Sequence, residues 1–141
     1  MWPNVMRGSA RNAITAVSVM RGGGRHKGIA PGLPTGADPV RRIVFQGDTD
    51  RTVHPSNAAM IVAAAVGDAA VPRRTSNRSV RGRGYARSEF AGADGAIVLE
   101  LWMIEGAGHA WSGGRAAGSF TDVKGPCATA EMMRFFLAKS A

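Results

Sequence analysis

The stretch RRIVFQGDTDRTVHPSNAAMIVAAAV, Arg41–Val66, decides the fold class. Its apolar run Ile43–Phe45 lies between polar residues, which is typical of a buried strand in a parallel sheet. A polar loop follows, and after Pro55 the sequence SNAAMIVAAAV has the composition of a helix, which Ser56 or Asn57 is expected to cap. A strand, a polar loop and a helix in this order predict an α/β fold.

Two further apolar patterns continue the predicted sheet. The segment AIVLELWMI, 96–104, is apolar on both faces apart from Glu100, so it predicts a central strand. Residues 85–90 are expected to pair with it as a hairpin through the turn sequence AGADG. The chain then ends in a helix that is predicted to begin near Pro126, because proline is favoured in a first helical turn. The predicted buried face of this helix carries Met132, Phe135 and Phe136.

The region upstream of the first strand has a different composition. Residues 13–20 favour a short amphipathic helix over a signal peptide, because no small-residue cleavage site follows them. Residues 22–39 are rich in glycine and proline and are interpreted as a loop. We interpret 1–141 as a single domain, in which 1–40 hold this helix and connector and 41–141 hold the sheet.

The composition is that of a globular protein. The 141 residues are 45% hydrophobic, which is enough for one core. No apolar run reaches the roughly 18 residues of a membrane span, so no membrane partner is expected. The only cysteine, Cys127, has no partner for an intrachain disulfide. Three histidines and one cysteine at wide spacing match no metal-ligand pattern, and neither a metal nor another cofactor is expected.

The chain is strongly basic, with 18 Lys and Arg against 10 Asp and Glu and a net charge of +8. Six of the arginines lie in RRTSNRSVRGRGYAR, Arg73–Arg87. Such segments bind phosphate chains by counterion release, so a polyanion-binding or nucleic-acid-binding fragment without catalysis is the alternative function. Stacking aromatic residues are few and no nucleic-acid module surrounds the segment, so a solvated loop and edge strand is the favoured interpretation.

Two polar loops follow the two most apolar strands. The first, GDTD at 47–50, carries Asp48 and Asp50, and the second, IEGAGHAWSGG at Ile104–Gly114, carries His109. In open α/β sheets, reactive groups gather beyond the carboxyl ends of the strands. An acid followed by a histidine is the order of the last two members of the α/β-hydrolase triad. There the histidine takes a proton from a serine and the acid orients the ring.

These motifs give the chain a specific resemblance. The segments IVFQGDTDRTVHPSN, LELWMIEGAGHAWSGG, GSFTDVKGP and AEMMRFFL resemble the C-terminal half of esterases of the polyhydroxybutyrate (PHB) depolymerase family. The resemblance implies an α/β-hydrolase fold and triad-catalysed hydrolysis of short hydroxyalkanoate or polysaccharide-linked acyl esters. It assigns the acid to Asp50 and the base to His109. Trp111 either lines the substrate pocket or packs against the loop.

Three other polar residues have weaker assignments. Asp48 is the alternative acid, and is otherwise expected to be a turn residue that accepts backbone N–H bonds. His54 is expected at the start of the first helix, and His26 is expected to be exposed in the Gly/Pro-rich connector.

The nucleophile of the triad is missing from the pattern. There is no G-x-S-x-G sequence, and neither Ser9 nor Ser112 has a strand before it and a helix after it. The resemblance therefore implies a partial α/β-hydrolase fold whose N-terminal half, with the nucleophile elbow and oxyanion hole, is absent. We expect little activity alone and an exposed first-strand edge. The chain is then a fragment, a remnant gene, or a half that associates with another chain. The family is often secreted, and any signal peptide is expected upstream of Met1.

Overall fold

The computed structural model describes residues 40–138, which form a four-stranded mixed sheet, a two-stranded ribbon and two helices. In chain order the elements are β1 (Arg42–Gly47), α1 (Ser56–Val66), β2 (Arg74–Val80), β3 (Arg83–Ala91), β4 (Ile97–Ile104), β5 (Trp111–Ser112), β6 (Thr121–Asp122) and α2 (Ala128–Leu137). The helix predicted at 13–20, the connector at 22–39, and the residues Ser9 and His26 lie outside the described residues.

The strand order of the larger sheet is β1-β4-β3-β2. β1 runs parallel to β4, with Val44 opposite Leu101 and Gly47 opposite Ile104. β3 and β4 are antiparallel and are joined through residues 92–96, which confirms the predicted hairpin. β4 therefore has a neighbour on each side, as its apolar sequence predicted, and the arginine-rich β2 is an edge strand.

The main hydrophobic core lies between α1 and one face of the sheet. Ala58 and Val62 of α1 pack against Leu99 and Leu101 of β4 and Phe90 of β3, and all five side chains are buried. Leu99 and Leu101 share a face because alternate residues of a strand point to the same side. Replacing a fully buried leucine such as Leu99 by alanine costs about 2–5 kcal/mol in comparable cores.

The opposite face of the sheet combines aromatic rings with a buried charge. Trp102 of β4 stacks on Tyr85, with ring centroids 5.1 Å apart, and also contacts Phe45, at 5.5 Å. Glu100, on the same face, is only 2% exposed and bonds to Arg134 of α2. The two helices therefore cover opposite faces, which gives the α/β layering that the sequence predicted. Within 40–138, neither helix is long and apolar enough to cross a bilayer.

The prediction that Ile43–Phe45 form a fully buried strand is wrong in one respect. The strand is present and parallel, but these three side chains are only half-buried, and the buried positions of β1 are Gln46 and Gly47. The reason is the strand order, because β1 is the last strand of the described sheet and has a neighbour on one side only.

The predicted cap of α1 is also wrong. The N-cap is Pro55, and no side chain caps the helix. Ser56 is the first helical residue and does not cap the helix. Its hydroxyl bonds to the His54 ring (2.9 Å), and its backbone N–H donates to the same ring nitrogen (3.2 Å). His54 therefore lies at the start of the helix, as expected.

The last helix is present close to its predicted start, but its buried face differs from the prediction. It begins at Ala128, two residues after Pro126, with Cys127 as its N-cap in an extended conformation. Phe135 is buried, but Phe136 is 46% exposed and Met132 is half-buried. Consecutive residues project about 100° apart around a helix, so Phe135 and Phe136 do not share one buried face. Phe136 instead packs edge-on against Phe135.

Candidate active site at the carboxyl ends of β1 and β4

Two loops meet at one edge of the sheet because β1 and β4 are parallel neighbours that end in register. We call residues 48–53, after β1, the acid loop, and residues 105–110, after β4, the histidine loop. The Asp48 backbone N–H donates to the carbonyl of Ile104 (3.1 Å), so the acid loop is bound to the end of β4, where the histidine loop begins. The fold therefore brings Asp50 and His109 together although 59 positions separate them in the chain.

The central contact of the site joins His109 Nδ1 to Asp50 Oδ2 at 2.9 Å. A carboxylate only accepts hydrogen bonds, so the ring donates from Nδ1 and carries the lone pair of its neutral form on Nε2. The two residues differ in exposure, because Asp50 is 7% exposed and the His109 side chain is 54% exposed. The arrangement is a shielded acid behind an accessible imidazole.

The second carboxylate oxygen of Asp50 is fixed by the backbone of its own loop. Oδ1 accepts the N–H groups of Thr52 and Val53, both at 2.9 Å. Burial raises the pKa of the Asp50 carboxyl, but these two N–H groups and the His109 ring lower it by more, so the net pKa lies below the ordinary 3.8. Asp50 is therefore ionised, with both oxygens oriented, at neutral pH.

Two further polar residues of the acid loop, Asp48 and Thr49, bind the histidine loop. Asp48 Oδ1 accepts the Gly106 N–H at 2.7 Å, which is the backbone-accepting role expected if it is not the acid. Thr49 donates both its N–H (3.1 Å) and its hydroxyl (2.7 Å) to the carbonyl of Ala107. The sequence did not identify Thr49 as a site residue, because a hydroxyl in a turn carries no specific signal. Together these bonds fix the histidine loop two residues before His109.

Gly47 makes this close approach of the two loops possible. A Cβ built on Gly47 would overlap the backbone carbonyl of Ala107, whereas a Cβ on Gly108 would meet open space. The close packing of the two loops therefore requires glycine at position 47 but not at position 108.

A groove of about 570 Å³ runs past the exposed face of His109. Its apolar walls include Phe45, Val53, Trp111 and Phe120, and Gln46 and Asp50 also line it. Trp111 is 49% exposed and Phe120 is 77% exposed, so both rings present apolar surface to the solvent beside the imidazole. Sequence reasoning identified Trp111 but missed Phe120, an isolated aromatic residue within a Gly/Ser-containing loop.

Ser112 does not serve the site as a nucleophile in this arrangement. It is 4% exposed, and its hydroxyl donates to the carbonyl of Pro126 at 2.7 Å. The hydrogen bond from Ser112 to Pro126 connects β5 to the segment before α2. None of the serine hydroxyls within residues 40–138 bonds to the His109 ring.

Most arginines of the arginine-rich segment make hydrogen bonds or ion pairs within the protein. Four of its six arginines bond to other parts of the chain, namely Arg73, Arg81, Arg83 and Arg87. Arg83, for example, pairs with Asp122 at 3.1 Å and donates to the Glu105 carbonyl at 3.0 Å, so it supports the histidine loop. Arg74 and Arg78, on the edge strand β2, make no such bond to any part of the chain that the structure describes.

The described part of the chain offers imidazole chemistry and no metal centre. No group of three or more His, Cys, Asp or Glu side chains among residues 40–138 could hold a metal ion.

Comparison with protein-family models and with curated proteins finds no match to this chain. The chemical capacity of the site therefore rests on its geometry, in which an oriented carboxylate holds one face of an exposed imidazole beside an apolar groove.

Proposed function

We propose that the chain carries the acid and histidine of a carboxylic ester hydrolase of the PHB depolymerase type, within a partial α/β-hydrolase fold. The observation that supports this most strongly is the 2.9 Å contact between His109 Nδ1 and Asp50 Oδ2 at the carboxyl ends of two adjacent parallel strands. This is where α/β enzymes place reactive groups, and the tautomer is the one that general base catalysis requires.

In the proposed reaction, His109 Nε2 takes the proton of a serine hydroxyl as the serine attacks the ester carbonyl. The imidazolium that forms is stabilised by the Asp50 carboxylate, and it then protonates the departing alcohol. Water, activated by the same imidazole, releases the acid from the acyl-serine. Since the Ser112 hydroxyl is bound to the Pro126 carbonyl, we propose that the serine and the oxyanion hole lie outside residues 40–138.

The proposed substrates are short hydroxyalkanoate or polysaccharide-linked acyl esters. The supporting feature is the groove beside His109, whose lining is largely apolar and includes the polar side chain of Gln46. Gln46 itself is occupied, because its amide donates to the carbonyls of Gly47 and Val53 at 3.0 Å. Specificity for the alcohol or acyl part would therefore come mainly from Trp111, Phe120 and the part of the fold that supplies the serine.

The first test is intact mass after exposure to a fluorophosphonate, which marks activated serines. We expect no adduct on this chain alone. A stoichiometric adduct that disappears in His109→Ala and remains in His54→Ala would place the completing serine in this chain, which would make it a compact esterase.

The second test completes the site. The nucleophile-bearing half of a PHB depolymerase family esterase, ending before its own acid strand, is fused ahead of this chain. The proposal predicts fluorophosphonate labelling of the supplied serine, its loss in Asp50→Asn and His109→Ala, and its retention in His54→Ala. A fusion that melts cooperatively yet remains unlabelled would contradict the proposal.

A second candidate function is polyanion binding, and the observation in its favour is the pair Arg74 and Arg78 on an edge strand. Because Arg81 and Arg83 bond within the protein, the informative variant replaces Arg74 and Arg78. If the chain binds polyanions there, heparin retention shows a steep salt dependence that this variant loses. If retention follows net charge alone, replacing the exposed Arg51 and Arg115 has the same effect.

A further inference from the structure

The histidine of the site has a reactive nitrogen that needs no serine in order to attack an ester. Its Nδ1 is bound to Asp50, its ring is 54% exposed, and Nε2 has no partner among residues 40–138. A fixed ring with a free basic nitrogen is a nucleophile as well as a base, and histidine is among the side chains that form covalent acyl intermediates.

A second histidine among the described residues, His54, lacks this property. His54 is also exposed, but its Nδ1 accepts the Ser56 backbone N–H at 3.2 Å. An accepting Nδ1 places the proton of the neutral ring on Nε2. These two histidines, the ones among residues 40–138, are therefore held in opposite tautomers, and of the two it is His109 that presents a lone pair on Nε2.

The groove selects the kind of ester that would reach this nitrogen. The rings of Phe45, Trp111 and Phe120 line the space beside His109, and Trp111 (49%) and Phe120 (77%) are exposed. Aromatic surfaces of this kind bind planar rings by offset stacking, worth about 0.5–1.5 kcal/mol beyond area burial. An ester with an aryl leaving group fits the groove and also leaves as a weakly basic aryloxide, which imidazole is able to displace.

We propose that His109 is by itself the nucleophile for hydrolysis of activated aryl esters in the Phe45–Trp111–Phe120 groove, an activity separate from the serine-dependent one. Nε2 bonds to the acyl carbon and the bond from that carbon to the aryloxide oxygen breaks, so the aryloxide leaves with the electron pair. The resulting acyl-imidazolium keeps its Nδ1 proton against the Asp50 carboxylate, which stabilises the positive charge. Water then attacks the acyl carbon and the bond from that carbon to Nε2 breaks, so the carboxylic acid and the free imidazole are released and the proton lost by the water passes to the solvent.

The test uses the full chain, first treated with a fluorophosphonate so that serine chemistry is blocked. Release of nitrophenolate from para-nitrophenyl acetate is measured at mildly alkaline pH against free 4-methylimidazole at equal concentration. We expect saturable turnover that falls at least roughly tenfold in His109→Ala and in Asp50→Asn, because each removes the nucleophile or its oriented tautomer. His54→Ala should stay within about twofold of the wild-type rate, because its exposed nitrogen carries a proton.

A variant of the groove separates binding from chemistry. Trp111→Ala should raise KM about threefold while kcat changes little, since the ring contacts the aryl group and not the acyl carbon. Mass analysis of protein quenched during turnover should find the acetyl group on the peptide that contains His109.

Each contrary result overturns the inference. These are a His109→Ala variant that melts like wild type and retains the rate, a rate no greater than that of 4-methylimidazole, and an acetyl group found only on a lysine or serine. Activity that the fluorophosphonate abolishes would instead belong to a serine of this chain. Failure of the fused esterase described above would leave this result unaffected, because the two experiments do not share a nucleophile.

Discussion

Two carboxylates on this sheet are almost fully buried and each faces a basic side chain, yet they have different consequences. Glu100, 2% exposed, bonds to Arg87, Arg134 and the Trp102 indole N–H, so its oxygens are fully occupied by donors that stay protonated. Asp50, 7% exposed, bonds to an imidazole whose other nitrogen is free and solvent-accessible. A buried carboxylate has reactive potential when its partner is a titratable group with a second exposed atom. When all partners are permanent donors, it holds the fold together.

The largest expected effect comes from breaking the Glu100 cluster. Glu100→Ala leaves the buried Trp102 indole N–H without its acceptor and removes one of the two carboxylate partners of Arg87 and of Arg134, and we expect a loss of about 3 kcal/mol in the free energy of unfolding. The measurement is chemical denaturation of the variant and wild type. Glu100→Gln, which keeps an acceptor for Trp102, should lose less.

The matched variant at the other carboxylate site is His109→Ala. It should leave the free energy of unfolding nearly unchanged, because the ring is half-exposed and Asp50 keeps its two backbone donors. If His109→Ala destabilises the protein as much as Glu100→Ala, the two clusters do not differ in the way proposed.

The next effect is at the approach of the two loops. Gly47→Ala places a methyl group against the Ala107 carbonyl, and relieving this overlap should cost about 1–3 kcal/mol and separate the acid loop from the histidine loop. The first measurement is the NMR signal of the His109 Nδ1 proton, which should be lost or shifted in Gly47→Ala. The second is the melting temperature, which should fall. Gly108→Ala is the control, because a methyl group there meets open space. Equal effects of the two changes would contradict the close-approach argument.

Local pattern was enough to predict much of the fold. The continuous apolar run of β4 predicted its central position, and the strand–loop–helix order around β1 predicted the α/β layering. The pairing of Asp50 with His109 follows from these elements, because loops after adjacent parallel strands meet at one edge. These properties depend on residues that are close in the chain or on the direction of neighbouring strands.

The parts that were missed depend on distant partners. Glu100 looked like an exception in an apolar strand because its partner Arg134 lies 34 residues further along the chain. The half-burial of the β1 side chains depends on the position of β1 in the strand order, which the sequence of β1 does not predict. The exposure of Phe136 likewise depends on which face of α2 meets the sheet.

A smaller effect distinguishes a structural serine from a reactive one. Ser112→Ala removes the hydroxyl that donates to the buried Pro126 carbonyl, and we expect the free energy of unfolding to fall by about 1 kcal/mol. Turnover of para-nitrophenyl acetate should be unchanged in the same variant once folding is complete. Ser119→Ala, at an exposed position, is the control and should change neither quantity. Loss of turnover in Ser112→Ala without loss of stability would assign this serine a chemical role instead.

The smallest and most specific effect is the pH dependence of the Asp50 site. The pKa of Asp50 is lower in the folded chain than the ordinary 3.8, so the unfolded chain binds more protons between these two values and stability rises with pH across that window. The contribution is complete above 3.8 and is lost as the pH falls through the folded pKa. Denaturation curves of wild type and Asp50→Asn should therefore converge in acid and separate as the pH rises towards 3.8. Curves that stay parallel throughout would mean that the hydrogen bonds to Asp50 do not favour its ionised form, and the oriented carboxylate behind His109 would lose its physical basis.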